Sequence, residues 1–99
     1  SLNAKALLIR ALSDPASEVR AEAATMTGKT LEPEEVRAQL HDLLSDQDPQ
    51  VRKNTALSLM KMESFESILQ IKNAFDQESN DQVKAVLEVA YKQLERMSE

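Results

Sequence analysis

Asp14-Pro15-Ala16-Ser17-Glu18-Val19-Arg20, Asp46-Gln47-Asp48-Pro49-Gln50-Val51-Arg52 and Glu78-Ser79-Asn80-Asp81-Gln82-Val83-Lys84 are one signal written three times, 32 residues apart. In each copy an acidic residue precedes a basic one by six positions, and Val stands just before the base. A period in the 20–50 residue range marks an architecture of stacked units, none of which can bury its apolar side alone. The expectation is a scaffold that presents one broad surface.

Working outward from these segments, apolar residues recur at helical spacing on both sides. Leu8/Ala11/Leu12 match Leu40/Leu43/Leu44 at an offset of 32, and Ile71/Ala74/Phe75 match the latter at 31. Each set lies on one helix face. First helices are expected near 3–12, 34–44 and 64–75, and second helices near 17–27, 49–62 and 81–97. Asp14-Pro15 and Asp48-Pro49 supply a capping side chain followed by a residue suited to the first helical turn. Asn80 can cap the third second-helix, Gly28 reads as a helix stop, and Glu32-Pro33-Glu34-Glu35 places acid in a first turn. Short connections make sequential helices antiparallel neighbours.

This pattern of helix, acidic turn, and Val-Arg opening a second helix resembles the HEAT repeat in its short bacterial form, also found in phycobilisome lyase subunits. It runs through Ala23-Ala24 in the first copy, Thr55-Ala56 and Leu59 in the second, and Leu87-Glu88 and Tyr91 in the third. The resemblance covers essentially the whole chain. It implies an all-α fold, a right-handed superhelix of three helical hairpins and six helices. Its second helices would line a concave surface used for binding proteins. Repeats are expected at about 3–30, 31–62 and 63–99 within a single domain spanning 1–99. HEAT-like enzymes with a di-iron centre use repeated His-Glu pairs, which are missing here.

At ~100° per residue, the Val and the residues one, four, five and eight positions on share a face, which is expected to be buried. Arg20 and Arg52 then sit at the edge of the core and need acceptors. Asp14, Asp46 and Glu78, from the same or an adjacent repeat, can supply them, giving a structural ladder that ends in Lys84. Recurrence at the repeat period favours this reading over a catalytic carboxylate cluster. Glu88 occupies the place of Ala24 and Ala56 and would be costly beneath another repeat, so the third repeat reads as a C-terminal cap. Leu2, Leu7, Leu8, Ile9 and Leu12 leave the opposite end apolar. The chain begins at Ser1-Leu2, already in helical pattern, and reads as the C-terminal part of a longer protein with more repeats or another domain upstream. A homodimer through that apolar face is the alternative.

Composition narrows the function. The 99 residues contain one Gly, three Pro, no Cys and no Trp, with a net charge of −5. Helix formers dominate, disulfides and thiolate metal sites are excluded, and a reducing cytoplasm is the expected location. No apolar run approaches the length of a membrane span. Acidity grows along the chain, +1 over 1–30, −2 over 31–62 and −4 over 63–99, which disfavours nucleic acid. One glycine cannot build a phosphate loop. The lone His41 makes no multi-His metal site or triad and reads as a surface or helix C-terminal residue. Met26, Met60, Met62 and Met97 read as flexible core filling, and Phe65, Phe75 and Tyr91 as packing anchors.

The concave face should carry Ala21, Glu22 and Thr25, then Lys53, Asn54, Leu57 and Lys61, then Ala85, Val86, Val89 and Gln93. Leu57, Val86 and Val89 are apolar where solvent is expected, and Lys53 and Lys61 rim them. They form a candidate docking site for an acidic-apolar peptide or helix. The reading is a non-catalytic adaptor that binds a protein partner and needs no cofactor. The alternatives are a lyase-like subunit that holds a protein-linked chromophore or substrate, and a structural extension of a neighbouring domain.

Overall fold

The computed structural model describes residues 3–99, so Ser1 and Leu2, and with them the apolar reading of Leu2, lie outside the described residues. Six α-helices form three antiparallel hairpins: α1 (Ala4–Ala11) with α2 (Ser17–Thr30), α3 (Pro33–Leu43) with α4 (Pro49–Lys61), and α5 (Ile68–Gln77) with α6 (Asp81–Met97). Among the described residues there is no strand. The α2 helix packs along α4 and α4 along α6, whereas α1, α3 and α5 make no comparably close backbone approach to one another. A stack tight on one layer and splayed on the other bends toward the tight layer. This is an α-solenoid with its second helices on the inner side.

Local chemistry explains most helix ends. Asp48 Oδ1 accepts Gln50 N–H and Pro49 opens α4, while Asn80 Oδ1 accepts Val83 N–H at the start of α6. At α3, Glu32 and Glu35 cap one another's backbone N–H groups reciprocally. Asp14 departs from the expected role. Its Oδ1 accepts Ala16 N–H in the turn, Ala16 takes the cap position with no side-chain bond, and the helix starts at Ser17. Asp46 and Glu78 make the same turn bond, to Asp48 and Asn80 N–H. All three acids therefore stabilise the turn before the helix.

Gly28 does not stop α2. The helix runs two residues further, to Thr30, and Gly28 keeps a negative φ. A Cβ at this position would collide with Ser58 on α4, down to its Cα at 2.9 Å. Ala21, Ala24 and Gly28 fall at i, i+3 and i+7 and give α2 a narrow face of small residues. Ser58 Oγ donates to the Ala24 carbonyl across the resulting seam, and Asn54 Nδ2 donates to the Ala21 carbonyl at 3.0 Å. Ala21 is therefore buried in the seam rather than displayed on the inner surface.

The third hairpin enters differently. Its first helix is preceded by a 3-10 turn, Phe65–Ser67, after Glu63 at φ 56°. The offset of 31 implies one residue more in the third inner loop, but α5 runs on to Gln77 instead and the loop is shorter, 78–80 against 44–48 between α3 and α4. Phe65 is exposed, while Phe75 and Tyr91 meet edge to face at 5.6 Å between ring centres.

The apolar core is aliphatic and continuous through the stack, with Leu12, Val36, Leu40, Val51, Leu59, Ile71, Val83, Leu87 and Leu94 buried. One member of the repeated stripe behaves differently. Val51 is 0% and Val83 2% exposed, but Val19 is 40% exposed. Ser58 lies seven residues beyond Val51 on the same face of α4 and touches α2. The corresponding face of α2 has no helix against it among the described residues, so Val19 and Met26 stay accessible. Glu88 is partly exposed and pairs with Lys92 at 2.8 Å.

Candidate functional site

The repeated acid–base signal becomes a set of rungs between repeats. Arg20 Nε and Nη2 donate to Asp46 Oδ2 and Oδ1 at 2.8 and 3.0 Å, and Arg52 Nε and Nη2 donate to Glu78 Oε1 and Oε2 at 2.8 Å each. Each arginine reaches forward to the next repeat, not back to its own acid. Its remaining Nη1 donates to its own turn: Arg20 to the Asp14 and Pro15 carbonyls, Arg52 to the Asp46 and Gln47 carbonyls. Planar fork-to-fork pairing of this sort is available to arginine and not to lysine. Lys84 accordingly leaves the series. Its Nζ donates to the Phe75 carbonyl at 2.8 Å and lies 4.0 Å from the centre of the Phe75 ring.

Every strong donor and acceptor in these rungs is committed to the frame. The Glu78 carboxyl is held below its ordinary range by the hydrogen bonds from Arg52, against an opposing effect of burial. Burial pushes the Asp46 carboxyl up, but the bonds from Arg20 and the turn N–H of Asp48 outweigh it, and the net direction is down. Both stay ionised at neutral pH, with their lone pairs occupied. That chemistry ties repeats together.

The inner layer carries what the frame leaves free. Leu57 on α4 and Val89 on α6 occupy the same register one repeat apart, and both are exposed, Val89 at 56%. Lys61 is exposed beside them, whereas Lys53 and Val86 are half-buried toward the helix seam. A groove of about 460 Å³ opens between the C-terminal halves of α4 and α6. Met60, Lys61, Glu63, Val89, Gln93 and Met97 line it. Of the residues singled out from sequence, Lys61 and Val89 enter this groove; Lys53, Leu57 and Val86 do not line it. Of the four methionines expected in the core, Met60 and Met62 pack against it, Met60 also walling the groove, whereas Met26 and Met97 are exposed. The signal that could have found Met97 is the length of α6, which carries it five residues past the position equivalent to Gly28.

His41 lies in the last turn of α3, at the helix C-terminus as expected, but it is not a free surface residue. It is partly buried, with Nε2 2.7 Å from Ser67 Oγ, and Ser67 in turn meets Ser64 Oγ at 2.7 Å. Burial, reinforced by the nearby Arg37 charge, pushes the imidazole below its ordinary value. It is neutral at pH 7 and serves as a hydrogen-bonding link between α3 and the 3-10 turn. Among the described residues, no three His, Asp or Glu side chains converge as a metal site, and no helix is long and apolar enough to cross a membrane.

Stacked helical hairpins, arginine rungs between turns and an inner layer of second helices define a class, and residues 4–92 match the model of HEAT repeats. The chain belongs to the HEAT repeat family. It is 56% identical over 90 residues to the bilin biosynthesis protein MpeU of Synechococcus sp. (strain WH8020), an alignment covering 91% of this chain and 30% of that protein. The chain thus spans about a third of its relative's length. No solved structure matches it.

Proposed function

We propose that this chain is a docking module of a bilin-handling protein, holding a polypeptide partner on its second-helix face. The observation that carries the reading is the groove between α4 and α6, where exposed Val89 and Met97 and half-buried Met60 stand beside the Lys61 ammonium. Apolar side chains left in solvent at a concave site, rimmed by Lys61, Glu63 and Gln93, fit an amphipathic segment in a groove, with Lys61 meeting its acidic group. Flexible methionines let such a surface adjust to its partner. The similarity to a bilin biosynthesis protein suggests the kind of partner, a protein that carries a covalently attached bilin when mature. In this reading the chain contributes binding and positioning, and the bond-forming residues lie elsewhere.

A second reading has its own support. An apolar groove flanked by an ammonium also suits a bilin itself, an extended apolar skeleton with anionic carboxylates. Calorimetric titration with the apo form of a bilin-carrying protein, and separately with free biliverdin, distinguishes the two. Docking of protein predicts saturable heat with the apoprotein that disappears in a Leu57→Glu/Val89→Glu variant of unchanged helicity. Heat only with biliverdin would replace the first reading with the second. Heat with neither would remove both.

A further inference from the structure

The three repeats do not meet their neighbours alike. Asp46 and Glu78 each receive the fork of an arginine 26 residues earlier in the chain, Arg20 and Arg52 respectively. Asp14 stands at the same place in the first repeat and makes the same turn bond, to Ala16 N–H. Among the described residues, no side chain donates to its carboxylate. The helix that follows is left in the same condition. Ser58 on α4 is 4% exposed and bonds to α2, and its counterpart on α6, Ala90, is 0% exposed. The counterpart on α2 is Met26, 41% exposed, and Val19 is open one register before it. An acceptor without its arginine and a seam without its helix thus lie on one side of the first hairpin.

The other end of the stack is closed. Lys84, in the arginine's place, commits its Nζ to the Phe75 carbonyl. Glu88, in the place of Ala24 and Ala56, pairs with Lys92. A lysine has no fork to offer a carboxylate, so a second copy stacked head to tail would not complete the rung on Asp14. What fits is a helix that brings an arginine and continues the α2–α4–α6 layer by the interface the chain already uses twice. The match to MpeU leaves most of that protein's length outside it, room there for further hairpins.

We infer that the open side of the first hairpin is a docking surface for a further helical hairpin of the same polypeptide, encoded ahead of Ser1. The second helix of that hairpin covers Val19 and Met26, and an arginine in its first turn lies fork to fork against Asp14. The spacing of the other rungs puts this arginine 26 residues before Asp14, with an apolar residue just ahead of it.

The chain has no cysteine, so Met26→Cys places a single thiol on this surface. Its reaction with a thiol reagent is compared between the 99-residue chain and the same reading frame extended upstream by one repeat. Labelling should be at least about tenfold slower in the extended chain, because reaction then waits for the stack to open. Leu69→Cys, on the far side of the third hairpin, should react alike in both. Asp14→Asn keeps the turn bond through its amide oxygen and loses the charge. It should lower the melting temperature of the extended chain and change that of the shorter one little. Four outcomes would overturn the proposal: a reading frame without an arginine at that spacing; equal labelling of Met26→Cys in both chains; an equal effect of Asp14→Asn in both; or a 99-residue chain that sediments as a dimer with Met26→Cys already protected, which would give the surface to a second copy. The inner groove takes no part in these readouts, so its own titration stands or falls separately.

Discussion

The guanidinium of Arg52 lies fork to fork against the carboxylate of Glu78, two bonds of 2.8 Å that join the second repeat to the third. Its Nη1 meanwhile closes the turn that carries Asp46, the acceptor of Arg20. One side chain thus fixes its own turn and the next repeat. Only 16% of the Arg52 side chain and 3% of Glu78 are exposed, so removing the arginine leaves a shielded carboxylate without its donor. Arg52→Ala should cost roughly 2–3 kcal/mol. Arg52→Lys should recover only part of it, because an ammonium cannot make the paired bonds. Urea denaturation of both variants measures this, and equal stability of Arg52→Lys and the parent would contradict it.

Acid sensitivity should come in two steps. The folded-state values of Glu78 and Asp46 lie below their ordinary 4.5 and 3.8. Groups depressed by folding stabilise the native state above their unfolded values, and that stabilisation drains away as pH falls through the folded ones. His41 is likewise depressed below 6.5, so protonation in the unfolded chain weakens the fold as pH drops past that point. The denaturation midpoint should decline gently below about pH 6.5 and steeply below about pH 4.5. His41→Gln should remove the first decline and Glu78→Gln part of the second, the rest belonging to Asp46 and the other depressed carboxyls, Asp48 and Glu35. A flat profile down to pH 4 in the parent would refute the assignment.

Gly28→Ala separates packing from propensity. In an open helix the change would gain roughly 1 kcal/mol, but here the new methyl meets Ser58 on α4. A net loss of about 1–3 kcal/mol is expected from the overpacking, and adding Ser58→Gly should not restore it, because the Ser58 Cα itself lies 2.9 Å from the new methyl. A Gly28→Ala variant that melts at or above the parent temperature would contradict this account of the seam.

That glycine also shows where sequence reading reached its limit. A lone Gly near the end of a helical pattern carries the same signal whether it ends the helix or admits a neighbour, and only the position of Ser58 decides. The 32-residue period, by contrast, made six helices and their stacking legible, because periodicity encodes which faces must be buried. The acid–base pairs were visible, but their direction was not: a spacing of six within a repeat and 26 between repeats offered Arg20 both Asp14 and Asp46. In the inner face, Leu57 and Val89 stood out as apolar residues at solvent positions. Met60 and Met97 did not, since a methionine pattern fits core and groove equally and the overhang of α6 is a tertiary fact.

Equivalent valines should respond unequally. Val51→Ala empties a fully enclosed position and should cost about 1.5–2.5 kcal/mol. Val19→Ala, at a position 40% exposed, should change stability by less than about 0.5 kcal/mol. Similar losses at both sites, read by thermal and urea denaturation, would mean that something covers the outer face of α2 in solution.

The central claim is that the second-helix face holds a protein partner, and mapping the contact by NMR tests it most directly. The labelled chain, titrated with the apo form of a bilin-carrying protein, should show its largest backbone shifts at Leu57, Lys61, Val89 and Met97, with α1 and α3 little affected. Shifts clustered on α3 and α5, or none with the two proteins mixed at equal ratio, would contradict it.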